Sequence, residues 1–148
     1  VLKRYIECAE KFGISDVVRI TGDCPLVDKN IINSLLSIYQ KNNYDYVSNV
    51  CPPTFPDGLD DEIVKLSTLK KSYSENKSST NKEHITSNIR KSIKYKKYNM
   101  TFGKFNLSKI RWTVDTKNDL KLITKIVMEF HPRIHFDWKT IYKLGKFS

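Results

Sequence analysis

The stretch "DVVRITGDCPLVDKNIINSLLSIYQKNNYDYVSNV", residues Asp16 to Val50, decides the fold. Its β-branched opening, "DVVRIT", is bounded by turn residues and reads as a buried strand. Gly22, Asp23, Cys24 and Pro25 then make a tight turn, and Asp28 is placed to cap a helix from Lys29 to about Lys41. Ile31, Ile32, Leu35, Leu36 and Tyr39 fall on one face of that helix. "YDYVSNV" follows as a second strand. Strand, turn, helix, strand is the alternation that implies parallel strands with covering helices, an α/β architecture.

Upstream, Leu2, Tyr5, Ile6, Ala9 and Phe12 space out an amphipathic helix that Gly13 ends. Downstream, "CPPTFPDGLDDE" holds three prolines and a glycine in twelve residues, too broken for an element and the kind of long loop that carries function. "EIVKLS" reads as a strand, and Ser67 is placed to cap a helix through Tyr73. "SENKSSTN" is a polar loop, and "KEHITSNIRKSI" returns to helical spacing. "YNMTFGKF" reads as a strand or hairpin and "IRWTVDT" as a strand. A helix from Lys117 to Phe130 follows, capped by Asp115 or Thr116, with Leu120, Ile123, Ile126 and Val127 inward. "FDWKTIYKLG" is a last short helix. There is no internal repeat.

The 148 residues are 39% hydrophobic and 28% charged, which suits one soluble domain or a large piece of one. No run approaches the roughly 20 apolar residues that span a bilayer, and no leader-like segment opens the chain. Cys8, Cys24 and Cys51 form no CxxC pair, and as unpaired thiols fit a reducing, cytoplasmic setting, each by default a small buried apolar residue. The net charge of +10 is mostly lysine, with arginine only at positions 4, 19, 90, 111 and 133. Either it marks a basic face for nucleic acid, with Lys94, Lys96 and Lys97 as the densest stretch, or it is the profile an AT-rich coding sequence writes on solvated surfaces. The chain starts at Val1 inside a helical pattern, as a chain cut from a longer protein would.

Ligands of parallel α/β sheets gather at the carboxyl ends of strands. "RITGD" and "RWTVD" each finish a predicted strand with an aspartate at that edge, so Asp23 and Asp115 converge if the strands are neighbours. Two carboxylates with room for waters form the protein half of a Mg²⁺ site whose other ligands are phosphate oxygens. The plainer reading makes Asp23 a turn residue and Asp115 a helix cap. Alternation along "RWTVD" puts Arg111, Thr113 and Asp115 on one face and Trp112 and Val114 on the other, with Trp112 in the core. Arg19 alternates with Thr21 and reaches either the ligand edge or only a salt bridge.

"VVRITGDCPLVD", "YDYVSNVCPPTFPDGLDDEIV", "KEHITSNIR" and "IRWTVDTKNDLKLI", in this order, resemble the cytidylyltransferase family of spore coat polysaccharide biosynthesis, relatives of the CMP-acylneuraminate and CMP-Kdo synthetases. The resemblance implies a three-layer, Rossmann-like fold of the glycosyltransferase-A type with a mostly parallel mixed sheet. It implies attack of a sugar hydroxyl on the α-phosphorus of CTP, giving a CMP-sugar and pyrophosphate. Asp23 and Asp115 match the acidic positions that hold Mg²⁺ in the related synthetases. The partners implied are CTP and a sugar acid or amino sugar, with a homodimer as a possible assembly and neither membrane nor nucleic acid required. A nucleotidyltransferase for another base or sugar fits the same residues.

"TFPDGLDDE" would belong to the acceptor wall, with Asp57, Asp60 and Glu62 bonding polyol hydroxyls, Gly58 admitting close backbone approach and Asn49 beside them on the second strand. A solvated acidic loop, with Glu62 simply starting a strand, is the alternative. His84 matches the family's "REHVT.YIR" block, although Lys82, Ser87 and Asn88 depart from it; it is a candidate for substrate or phosphate contact, as are Arg19 and Arg111. The family's "QAR..S.RLPGK" phosphate loop is not in this chain. The expectation is therefore the C-terminal two thirds of a single cytidylyltransferase domain, with the first βα units upstream and no productive CTP binding by this stretch alone.

Overall fold

Strand β1 (Asp16–Arg19), β2 (Tyr46–Ser48), β3 (Glu62–Lys65) and β4 (Lys97–Asn99) form one sheet in the order β1-β3-β2-β4. The computed structural model describes residues 1–75 and 85–146. β3 is antiparallel to both β1 and β2, and β4 is parallel to β2, so β1, β2 and β4 share one direction and β3 opposes them. The sheet is mixed, as the resemblance implies. Register places Arg19 and Ser48 both opposite Glu62, so the carboxyl ends of β1 and β2 flank the start of β3.

Side-chain alternation splits the apolar residues between two cores. Val47 and Ile63 point to a core that includes Ile31, Leu35 and Tyr39 of α2 (Lys29–Asn42), Ile123 and Ile126 of α5 (Lys117–Phe130) and Trp138 and Ile141 of α6 (Trp138–Lys143). Tyr46 and Val64, their neighbours along the strands, point to the other face. There they meet Leu2 and Ile6 of α1 (Leu2–Lys11), Leu69 of α3 (Leu66–Glu75) and Ile89 of α4 (Ser87–Lys91). Helices on both faces of a period-two sheet give the three layers.

The caps follow local chemistry. Asp28 accepts the Asn30 N–H at 2.7 Å to start α2, and its other oxygen accepts the Trp138 N–H at 2.9 Å, so one buried carboxylate caps α2 and ties down the start of α6. Thr116 and Asp119 form a reciprocal capping box on α5.

Several expectations are corrected. "IRWTVDT" is extended but is no strand: its backbone bonds first to Asp57 and then, through Val114, to Asp23, so no ladder forms beyond the single Asp57–Arg111 bridge. β4 starts upstream of "YNMTFGKF". Ser67 lies inside α3 rather than capping it. Leu120 and Val127 are exposed, because α5 meets the core along Ile123 and Ile126 and these two lie to one side of that line; Phe12 is exposed past the end of α1. Cys24 is buried, whereas Cys8 and Cys51 are exposed on a helix face and a turn. "SENKSSTN" and the start of "KEHITSNIRKSI" fall largely outside the described residues.

Candidate functional site

The turn after β1, the end of β2, the loop before β3 and α4 enclose a cleft of about 180 Å³. Arg19, Asp23, Asp57, Asp60 and Glu62 all line it, joined by Thr21, Cys24, Val50, Arg90 and Thr113. The position is the carboxyl edge of β1 and β2, where the opposed β3 contributes its amino end. Thr21 and Cys24 share a hydrogen bond of 2.9 Å that braces the turn carrying Asp23. Burial pushes the Cys24 thiol up to about 11, with the nearby Asp23 charge adding to it, so the sulfur is a neutral wall atom and no nucleophile.

Glu62 organises the cleft floor. Its carboxylate is 1% exposed, takes hydrogen bonds from three residues and lies in charge contact with a fourth. Arg19 Nη1 of β1 donates at 2.6 Å to one oxygen. Tyr46 of β2 and Thr86, which precedes α4, donate to the other, Thr86 at 2.7 Å, and Arg90 Nε of α4 lies 3.7 Å from it. Desolvation and the Glu62 charge push the Tyr46 phenol well up, so it remains a donor. Glu62 therefore holds other side chains in place and has no oxygen turned to solvent.

The loop ahead of it is built just as tightly. Asn49, 1% exposed, donates to the Leu59 carbonyl at 2.7 Å and accepts the Asp61 N–H at 2.9 Å, so its amide shapes the loop from below. Gly58 has φ +104°, and a Cβ there would stand 2.7 Å from the backbone of Trp112; its close neighbour is this chain's own main chain. Asp60 faces the cleft, and burial, then the Asp57 charge, lifts its carboxyl to about 6. Asp61 turns the other way: 0% exposed, with neither oxygen hydrogen-bonded among the described residues, it is raised by burial, then by Asp60, to about 7.

The second predicted aspartate arrives beside the first through the backbone. Val114 N–H donates to the Asp23 carbonyl at 2.8 Å, which sets Asp115 next to the Asp23 turn. The Asp115 carboxylate is half exposed and ion-paired with Arg111. Arg111 also meets Asp119 at 2.9 Å and Asp57 at 3.5 Å, and the hydrogen bond to Asp119 together with these charges binds its proton more tightly. Thr116 hydrogen bonds hold the Asp119 carboxyl down to about 2. Arg111, Thr113 and Asp115 share a face and Trp112 is fully buried, as alternation predicts. No group of three or more His, Cys, Asp or Glu side chains converges in metal-binding fashion among the described residues.

His84 lies outside the described residues. The densest lysine stretch is committed internally: Lys94 to Glu75 at 3.2 Å, Lys96 to the Asn42 carbonyl at 2.6 Å and over the Tyr44 ring, and Lys97 to the Arg90 carbonyl at 2.6 Å. No helix among the described residues is long and apolar enough to cross a membrane. Sequence reasoning missed Arg90, Tyr46 and Thr86 as parts of the site. The signal for them was a glutamate opening an otherwise apolar strand, which in a buried edge demands donors from its surroundings.

Residues 1–139 match the family model described as Cytidylyltransferase. The chain is 31% identical over 138 residues to the uncharacterised protein MJ1063 of Methanocaldococcus jannaschii, covering 88% of this chain and 53% of that one. It is 27% identical over 133 residues to the spore coat polysaccharide biosynthesis protein SpsF of Bacillus subtilis, covering 83% of this chain and 51% of that one. A solved cytidylyltransferase structure from Leptospira borgpetersenii serovar Hardjo-bovis superimposes with a TM-score of 0.91 at 28% identity, covering 98% of this chain and 61% of that one. The chain thus spans about half the length of the curated relatives it matches.

Proposed function

The chain belongs to the cytidylyltransferase family, and on that premise we propose that its cleft is the acceptor and metal side of an enzyme transferring CMP from CTP to a sugar hydroxyl. One observation carries the reading. Asp23, Asp57 and Asp60 line a single cleft at the carboxyl edge of β1 and β2, with the Asp115 segment bonded to the Asp23 turn. The acceptor oxygen attacks the α-phosphorus of CTP, the bond to the β-phosphate breaks, and pyrophosphate leaves. Asp57 and Asp60 accept hydrogen bonds from polyol hydroxyls of the acceptor and orient the attacking one. Arg111, gripping Asp57, Asp115 and Asp119, fixes the rim against which the acceptor rests.

The donor set suits Mg²⁺. Asp23 and Asp115 would hold the ion: both are hard carboxylates on adjoining segments, Asp115 paired with Arg111, and Mg²⁺ is commonly shared between one or two carboxylates and substrate phosphates. When bound, the ion would supply charge neutralisation at the α-phosphate. The relation to the Bacillus protein supports a role in surface polysaccharide biosynthesis, and the resemblance to the CMP-acylneuraminate and CMP-Kdo synthetases is the ground for taking a sugar acid or amino sugar as acceptor.

The test is pyrophosphate release by the full-length protein carrying these residues, with CTP, Mg²⁺ and a panel of sugar acids and amino sugars. Asp23→Asn is expected to lower kcat by about a hundredfold or more with the fold intact by circular dichroism. Wild-type turnover in that variant, or equal turnover with Mg²⁺ chelated, would overturn the assignment.

A further inference from the structure

We propose that Arg19 and Arg90 form a two-guanidinium seat for an oxyanion of the substrate, and that Glu62 is the positioning residue that builds it. The proposal rests on the reading of this cleft as the substrate cleft. Glu62 itself is out of reach of any ligand, since its carboxylate is buried and both oxygens are taken. The two arginines are different: their side chains are 25% and 33% exposed, and both line the cleft.

Each guanidinium carries five N–H donors, and Glu62 occupies few of them. Arg19 gives Nη1, and Arg90 approaches only through Nε at 3.7 Å, a charge contact longer than a hydrogen bond. Neither has a second ion-pair partner among the described residues, and the Nε of each is buried without an acceptor. Two cations share one ion-paired carboxylate, and the Asp60 charge acts on both across the cleft without forming an ion pair with either. Stability alone is served by one arginine on Glu62; a second, brought in from α4 toward the oxygen that Thr86 also bonds, is an arrangement that presents forked donors.

The seat also stands at a junction. Arg90 lines a neighbouring hollow of about 230 Å³ with Ser48, Lys97, Tyr98 and Asn99. Asp23, Asp57 and Asp60 repel an anion elsewhere in the cleft, so its charged group is directed to the arginines. The matching chemistry is a carboxylate or phosphate, carried by the acceptor or by the nucleotide.

Steady-state kinetics of the full-length protein distinguish these sources. Arg19→Gln and Arg90→Gln are each expected to raise one KM by about tenfold while kcat stays within about threefold, with the lysine variants intermediate because charge survives but the fork does not. A rise for the acceptor places the oxyanion on the sugar, and a rise for CTP places it on the nucleotide. Glu62→Gln should raise the same KM although it touches no ligand. If Glu62→Gln fails to fold, Arg90→Lys against Arg90→Gln carries the comparison. In parallel, the arginine side-chain nitrogen resonances of the wild type, titrated with pyrophosphate and with acetate, should shift at Arg19 and Arg90, and the shifts should vanish in the glutamine variants. Folded Arg19→Gln and Arg90→Gln proteins with both KM values within twofold of wild type, or wild-type resonances that move with neither anion, would overturn the seat. If the wild type transfers no CMP, the cytidylyltransferase reading fails, and the titration still decides the seat on its own.

Discussion

Asp61 and Glu62 are consecutive, equally buried acids that answer burial in opposite ways. Glu62 points to the face of Tyr46 and is met by two hydroxyls and two guanidiniums. Asp61 points to the opposite face, where burial and the charges of Asp60 and Asp28 act on it and neither of its oxygens is hydrogen-bonded among the described residues. Glu62 is surrounded by donors; Asp61 holds a proton up to about pH 7 because nothing there stabilises the charge. A one-residue step along a strand reverses the side-chain direction, and with it the electrostatic environment.

The largest effect that sharpens this contrast is on Asp61. Its folded-state pKa lies above the unfolded one, so the native state binds the proton more tightly. Stability is then full below about pH 4 and falls as pH rises to about 7, by as much as about 4 kcal/mol. Asp61→Asn should flatten that slope and be the more stable protein at pH 8, read by urea unfolding at pH 5 and pH 8. Asp60, raised to about 6, leaves a smaller slope behind. An unchanged slope in Asp61→Asn would show that the carboxyl finds a partner and would erase the contrast with Glu62.

Glu62→Ala should cost about 3 kcal/mol, because it leaves the Tyr46 and Thr86 hydroxyls unmet and two arginines unpaired in a half-buried wall. The partly solvated guanidiniums keep the figure below that of a fully interior pair. A loss under about 1 kcal/mol by denaturant titration would mean that water replaces the network. Gly58→Ala, in the loop that delivers both acids, should cost about 2 kcal/mol by forcing a side chain into a positive φ against the Trp112 backbone. Thr116→Ala marks the scale of an exposed hydrogen bond: about 1 kcal/mol from the α5 capping box, seen as a small drop in Tm.

Much of the architecture was legible in local patterns. The strand at Asp16, the Asp28 cap, the α2 stripe, the strand at Tyr46 and the buried Trp112 each follow from spacing, capping chemistry or alternation. The pairing of Asp23 with the Asp115 segment was anticipated, although through a split set of backbone bonds rather than a strand ladder. Local patterns failed where partners decide. Leu120 and Val127 are apolar at helical spacing, yet which helical residues are buried depends on how α5 lies against the core. Asn49 and Glu62 read as ligand-facing polar groups, and the fold uses the first to hold the Leu59–Asp61 backbone and the second to hold two arginines.

The sequence by itself determined most of the alternation of elements, the caps of α2 and α5, the family resemblance and the carboxylate after β1, because these depend on residues within one turn or one strand of each other. Only the tertiary structure decided that β3 inserts antiparallel between β1 and β2, and so that Glu62 meets Arg19, Tyr46, Thr86 and Arg90 while neither carboxylate oxygen of Asp61 hydrogen-bonds any of the described residues. The partners of a buried charge come from elements distant in the chain, and their number sets both its protonation and its use.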